Sequence, residues 1–371
     1  MVRVLKDEDG NVIFEGSAEL EEIPKANIII TGKTGVGKST LINQIFGEAL
    51  SKVGTGRPVT QDVTQYTKPN IPVSIYDTIG LELDKERQEQ TKSDMSRIIS
   101  DKFNNPDPVD LVHAIWYCVN AGSSRFEDFE ADFIRYFRSK FEIPFFVILT
   151  QCTSRKKAAE LKGHIVKERR LDVEVILTLA EDYETDAGNI TKFGLDEVVD
   201  ATVKRIPEFV ENSFISAQRV DMKLKHEAAM GVIKKYVKAT GFGKLVRRIP
   251  LVNIGAAFDD AVAMFKAIGD IYGLDTNSRQ VFTIVSEVFS KDTVWSILKC
   301  TPVIGEFIGD EVNGTGVGSL IKEAGTMYCQ AVEEVFRENS QKELENVQYV
   351  VKKLKEHLRR IVDERITASQ G

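Results

Sequence analysis

The chain is poor in the residues that mark secreted, metal-stapled and membrane-spanning proteins. Its four cysteines in 371 residues, Cys118, Cys152, Cys300 and Cys329, lie far apart and form no CxxC pair. That spacing reads as reduced, partly buried thiols in a cytosolic protein, neither metal ligands nor a disulfide framework. The opening MVRVLKDEDGNVIFEG lacks the apolar centre of a signal peptide. Val2–Leu5 and Val12–Phe14 flank Asp9-Gly10-Asn11 instead, so residues 1–23 are expected to form a hairpin-like extension. No apolar run is long enough to span a bilayer, because Asp259, Asp260, Asp270, Lys299 and Glu306 interrupt the candidates. No internal repeat, HExxH motif, Ser/His/Asp set or metal-spaced Cys/His cluster is present. His113 sits in an apolar strand and reads as a core histidine. A net charge of −7 gives no indication of a nucleic-acid binder.

What the chain does have is concentrated in Ala26–Leu41, ANIIITGKTGVGKSTL. Ile28–Ile30 reads as a buried strand and Ser39–Ile42 as a helix start, with Gly32-x-x-x-x-Gly37-Lys38-Ser39 between them. This is a complete GxxxxGK[ST] loop. Its glycines let main-chain N–H groups of Thr34, Gly35, Val36, Gly37, Lys38, Ser39 and Thr40 surround a phosphate. The helix dipole adds to that attraction. Lys38 supplies a point charge for the terminal phosphates, and the Ser39 hydroxyl is placed for Mg²⁺.

From Ile28 to about Ile206, apolar strands alternate with helical stretches. Strands are expected at 71–77, 111–119, 144–150 and 173–179, and helices at 85–103, 126–141, 155–169 and 195–214. Such alternation predicts an α/β fold with a doubly wound, mostly parallel sheet. A mainly α-helical C-terminal domain follows. The expected boundaries are 24–214 for the first domain and 215–371 for the second. In the second, Phe242–Leu251 reads as a break, while Val252–Tyr272, Ser278–Val288 and Trp295–Ile308 read as apolar helices. The glycine-rich stretch from Gly305 to Gly318 favours a tight helical hairpin over a membrane-inserting element. Leu344, Val347, Val351, Leu354, Leu358 and Ile361 form a short a/d seam, too brief for a free coiled coil and expected to dock on the chain itself. Its cationic outer face (Lys352, Lys353, Lys355, Arg359, Arg360) is either solvated or a contact for anionic lipid.

Further candidates follow the loop. Asp77-Thr78-Ile79-Gly80 closes the strand after Ile71, with Asp77 as the Mg²⁺ carboxylate and the Gly80 N–H facing a γ-phosphate. Between the two motifs, Gly54–Thr64 is polar and glycine-rich, as a mobile switch loop should be. In it Thr60 is the candidate metal-reaching hydroxyl, with Thr64 in reserve.

GKTGVGKST, GRPVT and YDTIGLE together resemble the Era-like branch of the translation-factor-related P-loop GTPases. The stretch from YVKATG to TPVIGEFIG resembles an uncharacterised helical domain that follows such G domains. The resemblance implies GTP or GDP as the nucleotide, Mg²⁺ as its metal, and a G-domain dimer or an effector protein as partner, in the cytoplasm or peripherally at a membrane. Two departures stand out. Where the family has Asn/Thr-Lys-x-Asp, this chain has Thr150-Gln151-Cys152-Thr153, so guanine preference should weaken by about 1–3 kcal/mol. The last base loop matches Thr178-Leu179-Ala180, with the Ala180 N–H toward the guanine oxygen. Where some relatives place a water-orienting glutamine, this chain has Leu81, so hydrolysis should be slow. Arg57, three residues before Thr60, is placed either as a cis arginine finger or as a solvated arginine before a proline turn. The expected function is therefore a slow GTPase switch. The alternatives are a poorly hydrolysing scaffold and an NTPase with relaxed base choice.

Overall fold

The computed structural model describes residues 3–6, 12–15, 24–47, 50, 57–58, 63–68, 71–78, 85–103, 110–123, 125–186, 188–244, 249–250, 255–274, 276–289, 293, 311–312 and 314–368. The chain divides into two compact units, one of residues 23–222 and one joining residues 1–22 with 223–371. It opens on an antiparallel hairpin, β1 (Arg3–Lys6) with β2 (Val12–Glu15), in which Arg3 pairs Glu15.

The α/β unit is built on β3 (Ala26–Gly32), every residue of which is buried. Its isoleucine run has no polar alternation because helices cover both faces of a parallel sheet. After it come α1 (Lys38–Phe46), β4 (Arg57–Pro58), β5 (Val63–Lys68) and β6 (Ile71–Thr78). Next are α2 (Lys85–Phe103), β7 (Ala114–Asn120), α3 (Asp128–Lys140) and β8 (Phe145–Thr150). The unit closes with α4 (Arg155–Gly163), β9 (Glu174–Leu177), the hairpin β10 (Tyr183–Thr185) and β11 (Gly188–Ile190), α5 (Leu195–Val203) and α6 (Glu208–Ala217).

The seven-stranded sheet has the order β4-β5-β6-β3-β7-β8-β9. The strands from β6 to β9 are parallel, and β5 and β4 add an antiparallel edge. The chain leaves β3 toward one edge and β7 toward the other, so the switch point of the winding falls between them. Ligands of open α/β sheets bind there, beyond the carboxyl ends of the strands. Period-two alternation on β7 divides the core. Trp116 packs between Phe46 and Phe214, with ring centroids 6.0 and 6.1 Å away, and donates to Thr202 Oγ1 at 3.2 Å. Tyr117 faces the other side, against Phe133 at 5.6 Å.

Several expectations are corrected. The segment 54–64 is not loop throughout, because Arg57 and Pro58 pair with Gln65 and Thr64, and Thr64 then pairs with Asp77. The expected helix 195–214 is two helices, divided before Pro207, which lacks the N–H that a continuous helix would need. The strand expected at 173–179 is shorter, and the following β10–β11 hairpin had no counterpart in the reading.

The second unit contains α7 (Met222–Lys244), β12 (Ile249–Pro250), α8 (Gly255–Tyr272), α9 (Ser278–Val288) and β13 (Glu311–Val312). It ends with α10 (Gly314–Glu338), α11 (Gln341–Leu344) and α12 (Val347–Ala368). The helix α7 runs through Phe242, where a break was expected, while 295–308 lies outside the described residues. A Cβ on Gly325 of α10 would come within 2.9 Å of Ile233 on α7 and 3.0 Å of Met264 on α8, so these helices meet there at close range. Phe265 stacks on Tyr328 at 4.2 Å. Lys225 is buried on α7 and donates to the Ile271 carbonyl at 2.9 Å, closing the last turn of α8.

The terminal helix α12 docks on α10 and α9 of its own chain. Its buried residues are Val350, Leu354, Leu358, Ile361 and Val362, while Val347 and Val351 are half-buried, so the seam is turned slightly from the expected one. The cationic face is paired internally. Lys355 and Arg359 reach Glu287 at 2.7 and 3.2 Å, Lys353 reaches Glu356 at 2.9 Å, and Arg360 reaches Glu334 and Glu364. No helix among the described residues is long and apolar enough to cross a membrane. Leu354→Ala, at a fully buried seam position, is expected to cost the helical unit about 2–5 kcal/mol in urea denaturation. A loss below about 0.5 kcal/mol would show that α12 is not part of this core.

Candidate functional site

The loop between β3 and α1 is shaped by three glycines at positive φ: Gly32 at 137°, Gly35 at 75° and Gly37 at 98°. At Gly32 a side chain is also excluded sterically, since a Cβ there would lie 2.2 Å from the Cys118 carbonyl oxygen. Gly37 caps α1 without a side chain, and the first turn of α1 carries no acidic residue. The helix therefore offers unopposed N–H dipoles to an anion.

Two lysines flank this loop, and the structure gives them different work. Lys33 turns outward to α3, with its ammonium 3.1 Å from Glu130 Oε2, 3.4 Å from Glu127 Oε1 and 5.1 Å above Phe129. Glu130 is buried and also accepts from the Tyr117 hydroxyl at 3.1 Å and the Glu127 N–H at 2.9 Å. Burial raises its pKa, against the opposing pull of the Glu127 N–H and Lys33. Lys38 folds back across the loop, and its ammonium donates to the carbonyls of Gly32 at 3.1 Å and Lys33 at 3.4 Å. Neutral carbonyl partners leave its charge uncancelled at the mouth of the loop.

Asp77 ends β6 in register with Ile30, one strand away from the loop. Its Oδ1 is buried and has no hydrogen-bond partner among the described residues. Burial pushes its pKa up to about 6, with Lys38 pulling the other way. An orphaned carboxylate oxygen on β6 and the exposed Ser39 in the first turn of α1 are the oxygen donors that a hard divalent cation takes. Beside Asp77, the Thr78 hydroxyl donates to Thr31 Oγ1 at 2.9 Å and fixes the strand end.

Thr150 and Gln151, expected at the nucleotide, bond the loop itself. The Thr150 hydroxyl bonds the Val36 carbonyl and lies 3.2 Å from that of Val119. Gln151, in the left-handed region at φ 53°, donates through Nε2 to the Gly35 carbonyl at 3.1 Å and accepts from Asn120 at 3.1 Å. Thr153 is half-buried and donates its N–H to the Gln151 carbonyl at 2.8 Å. The Thr178 N–H donates to Leu149 O at 2.7 Å, and Thr178 O accepts from the Cys152 N–H at 3.1 Å. The half-buried Ala180 follows this tie. Thr60 and Gly80 lie outside the described residues, as do Leu81 and Glu82, and Arg57 is placed only as backbone on β4. His113 is buried, and its Nδ1 accepts from the Asn27 N–H at 2.9 Å. Sequence reading missed Glu130, which pairs with Lys33, Tyr117, which donates to Glu130, and Asn120, which donates to Gln151, because these partners are brought together only by the fold.

A parallel sheet, a glycine loop opening a helix at its switch point, and a strand-end aspartate beside it define a P-loop nucleotide-binding domain. Within that class, residues 27–151 match the model of the 50S ribosome-binding GTPase family. Over that segment the α/β unit resembles a P-loop GTPase domain. Comparison with curated proteins gives no match. Among solved structures, the chain is similar to an Aquifex aeolicus Era variant bound to GDP and aluminium fluoride, at 20% identity over 58% of this chain and 68% of that one, with a TM-score of 0.34. It is also similar to the G domain of the Thermotoga maritima FeoB iron transporter, at 14% identity over 49% and 98% of the two chains, with a TM-score of 0.31.

The raised Asp77 gives a signed prediction for the protein freed of metal with EDTA. Between the unfolded value near 3.8 and about 6 the folded state holds this proton more tightly. Ionised Asp77 therefore lowers stability as pH rises through that window. Asp77→Asn is expected to be neutral near pH 4 and stabilising by about 1–3 kcal/mol above pH 6 in urea denaturation. A variant with no greater advantage at high pH would contradict the burial of this charge.

Proposed function

We propose that this chain is a Mg²⁺-dependent GTP switch that hydrolyses slowly, with its helical unit reading the nucleotide state. The observation that carries this is the pairing of an uncancelled Lys38 ammonium across the glycine loop with an unpartnered Asp77 oxygen one strand away. Main-chain N–H groups of Gly35–Ser39 and Lys38 would bind the β- and γ-phosphates. Ser39 and Asp77 would hold the metal, joined by Thr60 in the triphosphate state. Mg²⁺ supplies charge neutralisation across the phosphate oxygens when bound.

Switching is supported by how the 59–62 segment is anchored. Its flanks, Arg57–Pro58 and Thr64–Gln65, pair with each other, and Thr64 pairs with Asp77 itself. A change at Asp77 therefore acts directly on the strand that carries this loop. A path onward is supported by the end of α1, where the Ile45 carbonyl accepts from the Arg219 N–H at 2.8 Å, three residues before α7 begins. Gln218, fully buried, stiffens this link by accepting from Val220 and Asp221 N–H groups at 2.9 and 2.8 Å. Arg57 is the candidate charge stabiliser for phosphoryl transfer, and Leu81 gives the attacking water no hydrogen bond, hence slow turnover. The pairing of the α12 cations with the chain's own carboxylates argues against an anionic lipid surface as partner.

The base loop supports weak guanine selectivity, because Gln151 is engaged with Gly35 and Thr153 replaces a charged acceptor. Competition of GTP, ATP and XTP for a fluorescent nucleotide should rank GTP first by a small margin. Thr153→Asp should widen that margin by about 10-fold or more. Equal affinity for all three in both proteins would overturn guanine selection. Lys38→Ala should abolish binding and phosphate release together, and release at the wild-type rate would overturn the site.

A further inference from the structure

Away from the nucleotide site, three side chains of different ligand chemistry converge in the helical unit. His226 on α7 and Cys329 and Glu333, one turn apart on α10, place their donor atoms within 4.8 Å of one another. His226 Nδ1 lies 2.7 Å from Glu333 Oε1, and Cys329 Sγ lies 3.8 Å from that nitrogen and 3.7 Å from that oxygen. Tyr272, at the end of α8, donates to Glu333 Oε1 at 2.5 Å and lies 3.2 Å from the sulfur. We propose that His226, Cys329 and Glu333 form a binding site for a zinc-class divalent metal, with the Tyr272 hydroxyl orienting the carboxylate and a fourth position open to water.

The distances carry the assignment. Tetrahedral zinc, with bonds of about 2.0–2.3 Å, sets its N, S and O ligands about 3.3–3.6 Å apart. Both sulfur separations are already within a few tenths of an ångström of that, and only the His226–Glu333 contact has to open. Magnesium and calcium are excluded by the chemistry of the set, since a thiolate and an imidazole suit zinc-class metals and not hard cations. Access is available from the imidazole side, where His226 is 48% exposed and Glu333 24%, whereas Cys329 is buried. The Tyr272 hydroxyl supplies the outer hydrogen bond that such carboxylate ligands take in metal sites.

The charge balance closes. Burial pushes the Cys329 thiol up to about 12, so it is protonated in the metal-free protein. Binding breaks the S–H bond, forms the metal–sulfur bond and releases one proton to solvent. The thiolate and the Glu333 carboxylate then neutralise the dication. Because the ligands come from α7 and α10, occupancy would pin those two helices together next to the α8 end that Lys225 closes.

Titration of the full chain with cobalt(II) chloride, with excess Mg²⁺ and GDP present to fill the G domain, tests this. One equivalent should bring in thiolate-to-cobalt charge-transfer absorption and tetrahedral visible bands, and zinc chloride should displace them. His226→Gln and Cys329→Ser should each weaken binding by about 100-fold or more, and Tyr272→Phe by about 10-fold. The helical unit should melt at higher temperature with zinc in the wild type only. Absence of charge-transfer absorption at one equivalent, or its persistence in folded Cys329→Ser, would overturn the site. Should Cys329→Ser fail to fold, His226→Gln at its half-exposed position decides, and unchanged affinity there would be fatal to the proposal.

Discussion

The Lys38 ammonium is held over a ring of glycine-shaped backbone by two carbonyls that do not neutralise it. Much of the α/β unit serves to keep it there. The buried isoleucines of β3 fix where the loop begins, and Cys118 on the neighbouring strand lies so close to Gly32 that only glycine fits. From behind, Thr150 and Gln151 bond the carbonyls of Val36 and Gly35, so these oxygens are turned away from the phosphate side. Lys33 bonds outward to Glu130 and Glu127, which separates the second ammonium of the loop from the first. The loop backbone and the Lys38 ammonium are thereby held in place before any ligand is bound.

Asp77 completes the arrangement at a cost. A buried carboxylate oxygen without a partner is unfavourable, and such groups persist where a ligand satisfies them. Its neighbour in the sheet is Thr64 on β5, the antiparallel strand that the short β4 pairs on its other side. Asp77 and the strand that leads out of residues 59–62 are thus joined directly by sheet pairing.

The parts of this arrangement that are local in sequence were legible in it. The strand, loop and helix of the phosphate site follow from periodicity and glycine spacing alone, as do most of the other parallel strands. The strand Val63–Lys68 was hidden because all but its first residue are only half-buried, leaving no apolar run to mark it. Pro207 was visible but its breaking effect was outweighed by the apolar periodicity on either side. The seam of α12 was located but turned, since Val350 and Val351 are equally apolar and only packing on α9 and α10 chooses between them. The bond from the Gln151 amide to the Gly35 carbonyl could not be read, because it joins residues more than a hundred positions apart. The His226–Cys329–Glu333 group was equally invisible, because two helices about a hundred residues apart in the chain must pack before those residues meet.

The central claim is that the loop grips a polyphosphate through its own amides. Backbone amide resonances during titration with pyrophosphate, in the presence of Mg²⁺, test it most directly. Large shifts confined to Gly35–Ser39 and their immediate neighbours are the predicted result. Shifts that leave those five amides in place, or that appear only on scattered surface lysines, would contradict it.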